Sequence, residues 1–524
     1  MLPANDLAPE KSGRKWLPWV VVLLVILGIG SIRLRLLQVP LERDEGEYAY
    51  AGQLMLQGIP PYQLACNVKL PGTYAAYALI MALCGQSIAG IHLGLLVVNA
   101  GAIVLLFLLG RRLFGASCGV AAGASYAVLS IGSGVLGTQA HATHFVVLPA
   151  MAGALLLLRH ADSGRLATVW WAGLCFGLAF LAKQHGILFA VFGGLWLAGT
   201  NWRRWRTLLA RLLVFSAGVV APFAVTCLLL WRAGVFGKFW FWTFRYASQY
   251  TSENTFSDGL EAFRDTVVPI LQQNPGLCLL AAAGLVAVWW RKRDRASAVF
   301  AAALLFFSFL AMCPGLFFRE HYFVLVLPAV ALLGGATARS RLGCGLFAIA
   351  LCLSLYLQRD LLFRMSPLQA SRELYDGSPF PEAIQVADYI RAHSTPKDLV
   401  AVLGSEPEIY FYANRHSATT YIYTYGLMEP QPFALQMQNE MIHEIETAQP
   451  EYIVHEVADD LWLRQPESPK RIFDWWAAYR PEHYQLVGVA ETLSDDRSEY
   501  RWGAAAAEAY KPTSDYYLAV YRKK

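Results

Sequence analysis

Arg43-Asp44-Glu45-Gly46-Glu47-Tyr48-Ala49-Tyr50 follows closely on the first long apolar run of the chain, Trp16–Leu37, and puts three carboxylates within four residues. Ionised groups at the mouth of a membrane span are expensive unless they face water. The stretch therefore marks either a solvated loop or a polar site at the bilayer surface. The apolar run before it is too long for a signal-peptide core, and no small-residue cleavage site follows. It reads as a retained anchor behind a polar tail carrying Lys11, Arg14 and Lys15.

Composition points the same way. Of 524 residues, 56% are hydrophobic and 15% charged, against about 25% charged in soluble domains, which excludes a soluble enzyme. Membrane-length apolar runs are expected near 16–37, 88–110, 116–136, 143–160, 168–182, 185–199, 207–231, 276–290, 297–313, 321–337 and 342–358. The basic residues fall on alternate connections: the N-terminal tail, Arg111-Arg112, Arg159/Arg165, Arg203/Arg204/Arg206/Arg211, Arg291/Lys292/Arg293/Arg295 and Arg339/Arg341. The positive-inside rule makes that side cytoplasmic. Residues 38–87, 232–275, 314–320 and everything after 358 then lie outside the cytoplasm. Leu70–Cys84 is apolar but short, and counting it as a span would break the parity, so it reads as an interfacial or re-entrant helix.

The fold class expected is an α-helical polytopic membrane domain, residues 1–358, followed by a small α/β extracytoplasmic domain, residues 359–524. In the latter, Ser378-Pro379-Phe380-Pro381 opens a helix with Ala383, Val386, Ala387 and Ile390 on one face. Strands are expected at Leu399–Leu403, Tyr452–Val454, Tyr484–Val489 and Tyr517–Tyr521. The nine cysteines sit almost all in apolar runs without a Cys-x-x-Cys pair, as small buried hydrophobes do. Cys66 and Cys84 could pair across the first loop. No basic–aromatic stretch suggests nucleic acid.

A short helix is expected over Glu45–Gln57, stopped by Gly58 and Pro60-Pro61. Asp44-x-x-Glu47 has the capping-box spacing, with Asp44 as N-cap and Glu47 at the third helical position. Such a cap is compatible with a chemical role, because one carboxylate oxygen can cap while the other faces a cavity.

The octapeptide, together with Gln57-Gly58-Ile59-Pro60-Pro61-Tyr62 and Lys69-Leu70-Pro71-Gly72, resembles the first outer loop of GT-C glycosyltransferases. The ArnT/PMT-like bacterial group, which uses polyprenyl-phosphate sugars, is the nearest in pattern. Arg319-Glu320-His321-Tyr322 with Leu327-Pro328-Ala329 is similar to a later segment of that group. The resemblance implies a GT-C-like multi-pass enzyme of the cell membrane, a bacterial inner membrane, with its site on the outer face. It would move a sugar from a polyprenyl-phosphate donor to a glycan, lipid or protein acceptor. By position, Asp44 matches the family's aspartate, whose role is general base toward the acceptor hydroxyl or orientation of it; Glu47 is the other candidate catalytic carboxylate in this loop. A phosphate leaving group needs cations more than a strong acid.

Lys69 is the first such cation, read either as a ligand of the donor phosphate or as a snorkelling anchor. Arg245, Arg319 and His321 are further candidates on the outer side, with interface anchoring as the alternative for the arginines. Glu45, Tyr48, Tyr62, His141, His144 and Lys183 are expected to contact substrate. No cofactor is required. A divalent metal is the one option, on His141 and His144 with Asp44 or Glu47. Here the chain departs from the family, whose members often carry an acid where this loop has Thr143 and the histidines. Two other classes remain open: a transporter or flippase of a lipid-linked glycan, and a membrane-anchored assembly protein. The transporter would call for midplane charges and repeats that the chain lacks. The chain also lacks the Asp-x-Asp metal motif of nucleotide-sugar enzymes, which favours a lipid-linked donor.

Overall fold

The computed structural model describes residues 15–250, 254–290, 295–375, 377–457, 462–494 and 496–524. Lys11, Arg14, Arg291, Lys292 and Arg293 of the expected basic clusters lie outside the described residues. The membrane part is helical: α1 (Leu17–Arg35), α2 (Arg43–Leu56), α3 (Pro71–Cys84), α4 (Ile88–Phe114), α5 (Ala116–Leu129), α6 (Ala142–Ser163), α7 (Leu166–Ala182), α8 (Ile187–Asn201) and α9 (Trp205–Arg232). Short α10 (Phe236–Trp240) and α11 (Ala247–Tyr250) flank a π-helical turn, and α12 (Phe256–Gln273), α13 (Pro275–Trp290), α14 (Arg295–Leu310), α15 (Leu327–Gly335) and α16 (Arg341–Leu357) complete it.

Among the described residues, α1, α4, α6 and α9 are long and apolar enough to cross a bilayer, and α12 with α13, bent by 100°, would make a fifth span. Helices form within each expected run, but several are short. The 14 residues of α5 rise about 21 Å, less than a hydrocarbon core of about 30 Å. The expected span at 321–337 is corrected outright. Residues Glu320–Leu325 are 3₁₀ turns, Pro328 sits in the first turn of α15, and that helix has nine residues. It is buried against α5 and α13, where a Cβ on Gly284 would meet the Leu333 carbonyl at 1.9 Å. The region 232–275, expected as a loop, contains the amphipathic α12. Its Phe256 and Leu260 are exposed.

The basic clusters do come together in part. Arg112 pairs with Asp162, joining the ends of α4 and α6, and Arg339 lies 5.3 Å over the Phe114 ring. All nine cysteines are free, so Cys66 and Cys84 do not pair.

After α16 come α17 (Pro367–Tyr375), α18 (Phe380–Ala392), α19 (Glu408–Ala413), α20 (Tyr425–Met428), α21 (Ala434–Ala448), α22 (Arg471–His483) and α23 (Ala504–Ala509). They surround a five-stranded sheet of β1 (Val400–Leu403), β2 (Tyr452–Val457), β3 (Tyr484–Ser494), β4 (Arg497–Trp502) and β5 (Tyr517–Lys523), ordered β1-β2-β5-β3-β4. β1 runs parallel to β2, and the other pairs are antiparallel. Ala383, Val386, Ala387 and Ile390 of α18 are fully buried, as their spacing predicts. Four strands fall where expected, while the polar edge strand β4 was not foreseen.

The two parts pack closely. Gly46 of α2 faces α19, where an added Cβ would sit 2.6 Å from the Glu408 amide nitrogen. Only a hydrogen fits there, so this glycine lets α2 meet the small domain.

Candidate active site

The start of α2 sets the site. Its N-cap is Glu42, not Asp44. The Glu42 carboxylate accepts from the backbone N–H of Asp44 (2.9 Å) and Glu45 (2.8 Å), and Glu45 reaches back to the Glu42 amide at 3.4 Å. The capping box thus lies two residues before the expected one, because the helix begins at Arg43. Asp44, at the second helical position, is released from capping. Its Oδ1 accepts from Lys69 Nζ at 2.9 Å and from Tyr423 OH at 3.0 Å, and its Oδ2 from Tyr48 OH at 3.3 Å.

Asp44 and Lys69 line a cavity of about 520 Å³ shared by both domains. The membrane part contributes His141, Lys183, His185, Arg319 and His321, and the small domain contributes Tyr423, Tyr425 and Glu429. Lys183, in an extended residue at the end of α7, lies with its Nζ 4.0 Å over the Tyr322 ring and 3.5 Å from His321 Nε2. The His141 and His321 rings stack at 4.2 Å. Arg319 is exposed at the rim.

Burial alone would raise the Asp44 pKa. The charge and hydrogen bond of the Lys69 ammonium lead the opposing influences, which together exceed burial and hold the carboxyl well below the usual carboxylate range. Burial would likewise lower the Lys69 pKa, but Asp44 and then Glu47 lift it above the ordinary lysine value. Burial pushes His141 down to about 4 against the pull of Asp44. At neutral pH the floor of the cavity is an ionised Asp44–Lys69 pair beside a neutral histidine stack.

The other expected residues are placed differently. Glu47 is fully buried behind Asp44 and bonded to Asn67 Nδ2 (2.7 Å) and Tyr74 OH. Burial, reinforced by the Asp44 charge, pushes it up to about 7. It does not line the cavity. Glu45 lies off the cavity: it is fully buried, and its Oε1 accepts from the Ala140 amide (2.6 Å) and contacts His92 Nε2 (3.1 Å). Tyr62 is also buried, with its hydroxyl donated to the Lys69 carbonyl at 2.7 Å, so it steadies Lys69 instead. Tyr48 takes part through its hydroxyl, which accepts from Lys69 Nζ at 3.3 Å. Arg245 turns to the small domain, 5.4 Å over the Phe433 ring and away from the cavity.

His144 is buried away from the cavity, which removes it from the expected metal set. His321 takes its place: Asp44, His141 and His321 offer ligand atoms all within 4.8 Å of one another. Among the described residues, neither buried ring nitrogen of His141 has a hydrogen-bond partner, and its Nδ1 lies 3.6 Å from Glu42 Oε1. An oxygen and two imidazoles suit a zinc- or manganese-type ion.

Sequence reasoning missed His185 and every contribution of the small domain. The run Tyr421-Ile422-Tyr423-Thr424-Tyr425 was visible, but its place beside residues 379 positions earlier was not.

Known proteins share this fold. Residues 69–231 match the dolichyl-phosphate-mannose-protein mannosyltransferase family. ArnT from Cupriavidus metallidurans, solved bound to undecaprenyl phosphate, is similar with a TM-score of 0.61 and 17% identity, over 97% of this chain and 98% of that one. The protein has the GT-C fold. The archaeal oligosaccharyltransferase AglB from Archaeoglobus fulgidus, solved with an inhibitory peptide and a dolichol-phosphate, has the same GT-C fold. Its TM-score is 0.54 at 14% identity, over 95% of this chain and 75% of that one. No curated protein matches in sequence.

Proposed function

We propose that the protein is an integral-membrane glycosyltransferase that moves a sugar from a polyprenyl-phosphate donor to a glycan, lipid or protein acceptor on the extracytoplasmic face. The observation that carries this reading is the pairing of Asp44 with Lys69 on the wall of one cavity, within a GT-C fold. In the reaction, the acceptor oxygen forms a bond to the anomeric carbon while the bond from that carbon to the phosphate oxygen breaks. Polyprenyl phosphate leaves, and the acceptor proton passes to Asp44.

Lys69, with Arg319 at the rim of the same cavity, receives the charge that builds on the leaving phosphate. Burial and the Lys69 charge hold the Lys183 pKa well below the ordinary lysine value, so Lys183 serves there as a hydrogen-bond donor. The two roles are linked. While Lys69 holds Asp44, the carboxylate is a weak base. A donor phosphate that draws the ammonium away raises its affinity for a proton when the acceptor arrives. A divalent ion would be held by Asp44, His141 and His321, where it would add positive charge beside the leaving group. The outer-face orientation rests on the alternation of basic connections along the chain.

The test is a transfer assay with purified protein, a panel of polyprenyl-phosphate sugars and an acceptor extract. Release of free polyprenyl phosphate coupled to a glycosylated product is expected. Binding of every donor with no sugar transferred would refute the reading.

A further inference from the structure

Arg43 and Asp44 are neighbours in the chain, and both are tied to the small domain. The Arg43 guanidinium donates to the Ser405 carbonyl (2.8 Å) and to Glu406 Oε1 (2.7 Å) in the turn after β1. Ser405 Oγ in turn accepts from the Thr424 amide at 3.0 Å and shares a second hydrogen bond with Thr424 Oγ1 at 3.0 Å. Tyr423, the residue before, returns to Asp44 Oδ1 at 3.0 Å. Asp44, Arg43, Ser405, Thr424 and Tyr423 therefore form a closed ring of bonds across the domain boundary.

The ring is sheltered. Ser405 and Thr424 are fully buried, and the Arg43 guanidinium lies 5.3 Å over Phe380 and 5.6 Å over Tyr425. Hydrogen bonds withheld from water hold their geometry best. The ring also distinguishes the two carboxylate oxygens. Oδ1 takes both short contacts, from Lys69 and Tyr423, while Oδ2 has the 3.3 Å contact from Tyr48. The less occupied oxygen is the one open to a new proton.

We propose that Tyr423 is a positioning residue for the transfer reaction: clasped through Thr424 and Ser405, its hydroxyl fixes the Asp44 carboxylate with Oδ2 presented as the proton acceptor. The small domain is then a working part of the site, not a separate module. Tyr423 keeps its own proton throughout. The inference rests on Asp44 being the base.

The experiment compares wild type with Tyr423→Phe, Ser405→Ala, Asp44→Asn and Tyr510→Phe. The last removes a tyrosine hydroxyl bonded to Glu491, remote from the cavity. Misplacing a reacting group can slow a reaction up to about 100-fold. Tyr423→Phe should lower kcat by roughly 10- to 100-fold with donor KM within about twofold. It should also move the acid limb of kcat/KM to higher pH, because one donor to the carboxylate is gone. Ser405→Ala should shift both in the same direction, and Tyr510→Phe should match wild type. Tyr423→Phe at the wild-type kcat and pH profile, with Asp44→Asn inactive, overturns this inference alone. A loss in Tyr423→Phe that appears equally in donor KM and in melting temperature also overturns it. Asp44→Asn at the wild-type rate overturns the base reading instead.

Discussion

Replacing Lys69 by methionine keeps most of the apolar stem and removes the charge that organises the cavity. Two consequences follow from the 2.9 Å pair with Asp44. The first concerns donor binding. A hydrogen bond to a charged group contributes about 1.5–3 kcal/mol, or about 10- to 150-fold in Kd. Lys69 must leave Asp44 to reach a phosphate, which offsets part of that gain, so the lower end, about tenfold, is expected.

The second consequence concerns pH. Two unit charges about 4 Å apart near a protein surface interact by about 4 kcal/mol, about three pKa units. That is the largest of the influences that oppose the burial of Asp44. A depressed pKa keeps the base ionised as the pH falls, so wild-type kcat/KM should hold to below the usual carboxylate range. Without Lys69 the largest influence opposing burial is gone, and the Asp44 pKa rises. The acid limb must then move to higher pH, because kcat/KM reports the ionisation of the free enzyme. Donor affinity by calorimetry in detergent and transfer rates across the acid range measure the two effects separately. Unchanged affinity together with an unmoved acid limb would refute the reasoning and leave Lys69 as an anchor.

Three shorter predictions follow from the same geometry. Gly46→Ala places a Cβ against the Glu408 backbone; overpacking of this kind typically costs about 1–3 kcal/mol, read as a lower melting temperature and reduced transfer. With Leu56→Cys or Lys397→Cys, an impermeant thiol reagent should label the protein in intact cells, whereas Arg165→Cys should label after permeabilisation; the reverse pattern would invert the topology. Zinc or manganese added to chelator-treated protein should bind with a stoichiometry of one by calorimetry and be lost in His141→Ala and His321→Ala but kept in His144→Ala; binding lost in His144→Ala would return that residue to the metal set.

How much of this was legible in the sequence depended on range. The apolar runs, α2 and the buried face of α18 are written in local periodicity and charge, and Asp44 with Lys69 could be picked out within one loop. The cap was misplaced because Asp44-x-x-Glu47 is a stronger pattern than the glutamate that does the capping. Glu45 looked like a surface carboxylate, since its partners His92 and the Ala140 amide come from other helices. β4 was missed because an edge strand carrying Arg497, Glu499 and Arg501 lacks the apolar alternation of a buried one. Tyr423 had no local signal at all. Its role exists only because Gly46 lets α19 approach and the Ser405 turn holds Thr424.

Asp44 as the base is tested most directly by single-turnover transfer by Asp44→Asn with saturating donor and acceptor. Asparagine keeps the size and part of the hydrogen bonding but takes up no proton, and the helix cap on Glu42 is untouched. Loss of a general base costs about 10²- to 10⁴-fold in rate. The predicted result is a fall of that size with donor still bound and the protein folded. Retention of most of the wild-type rate would contradict the account.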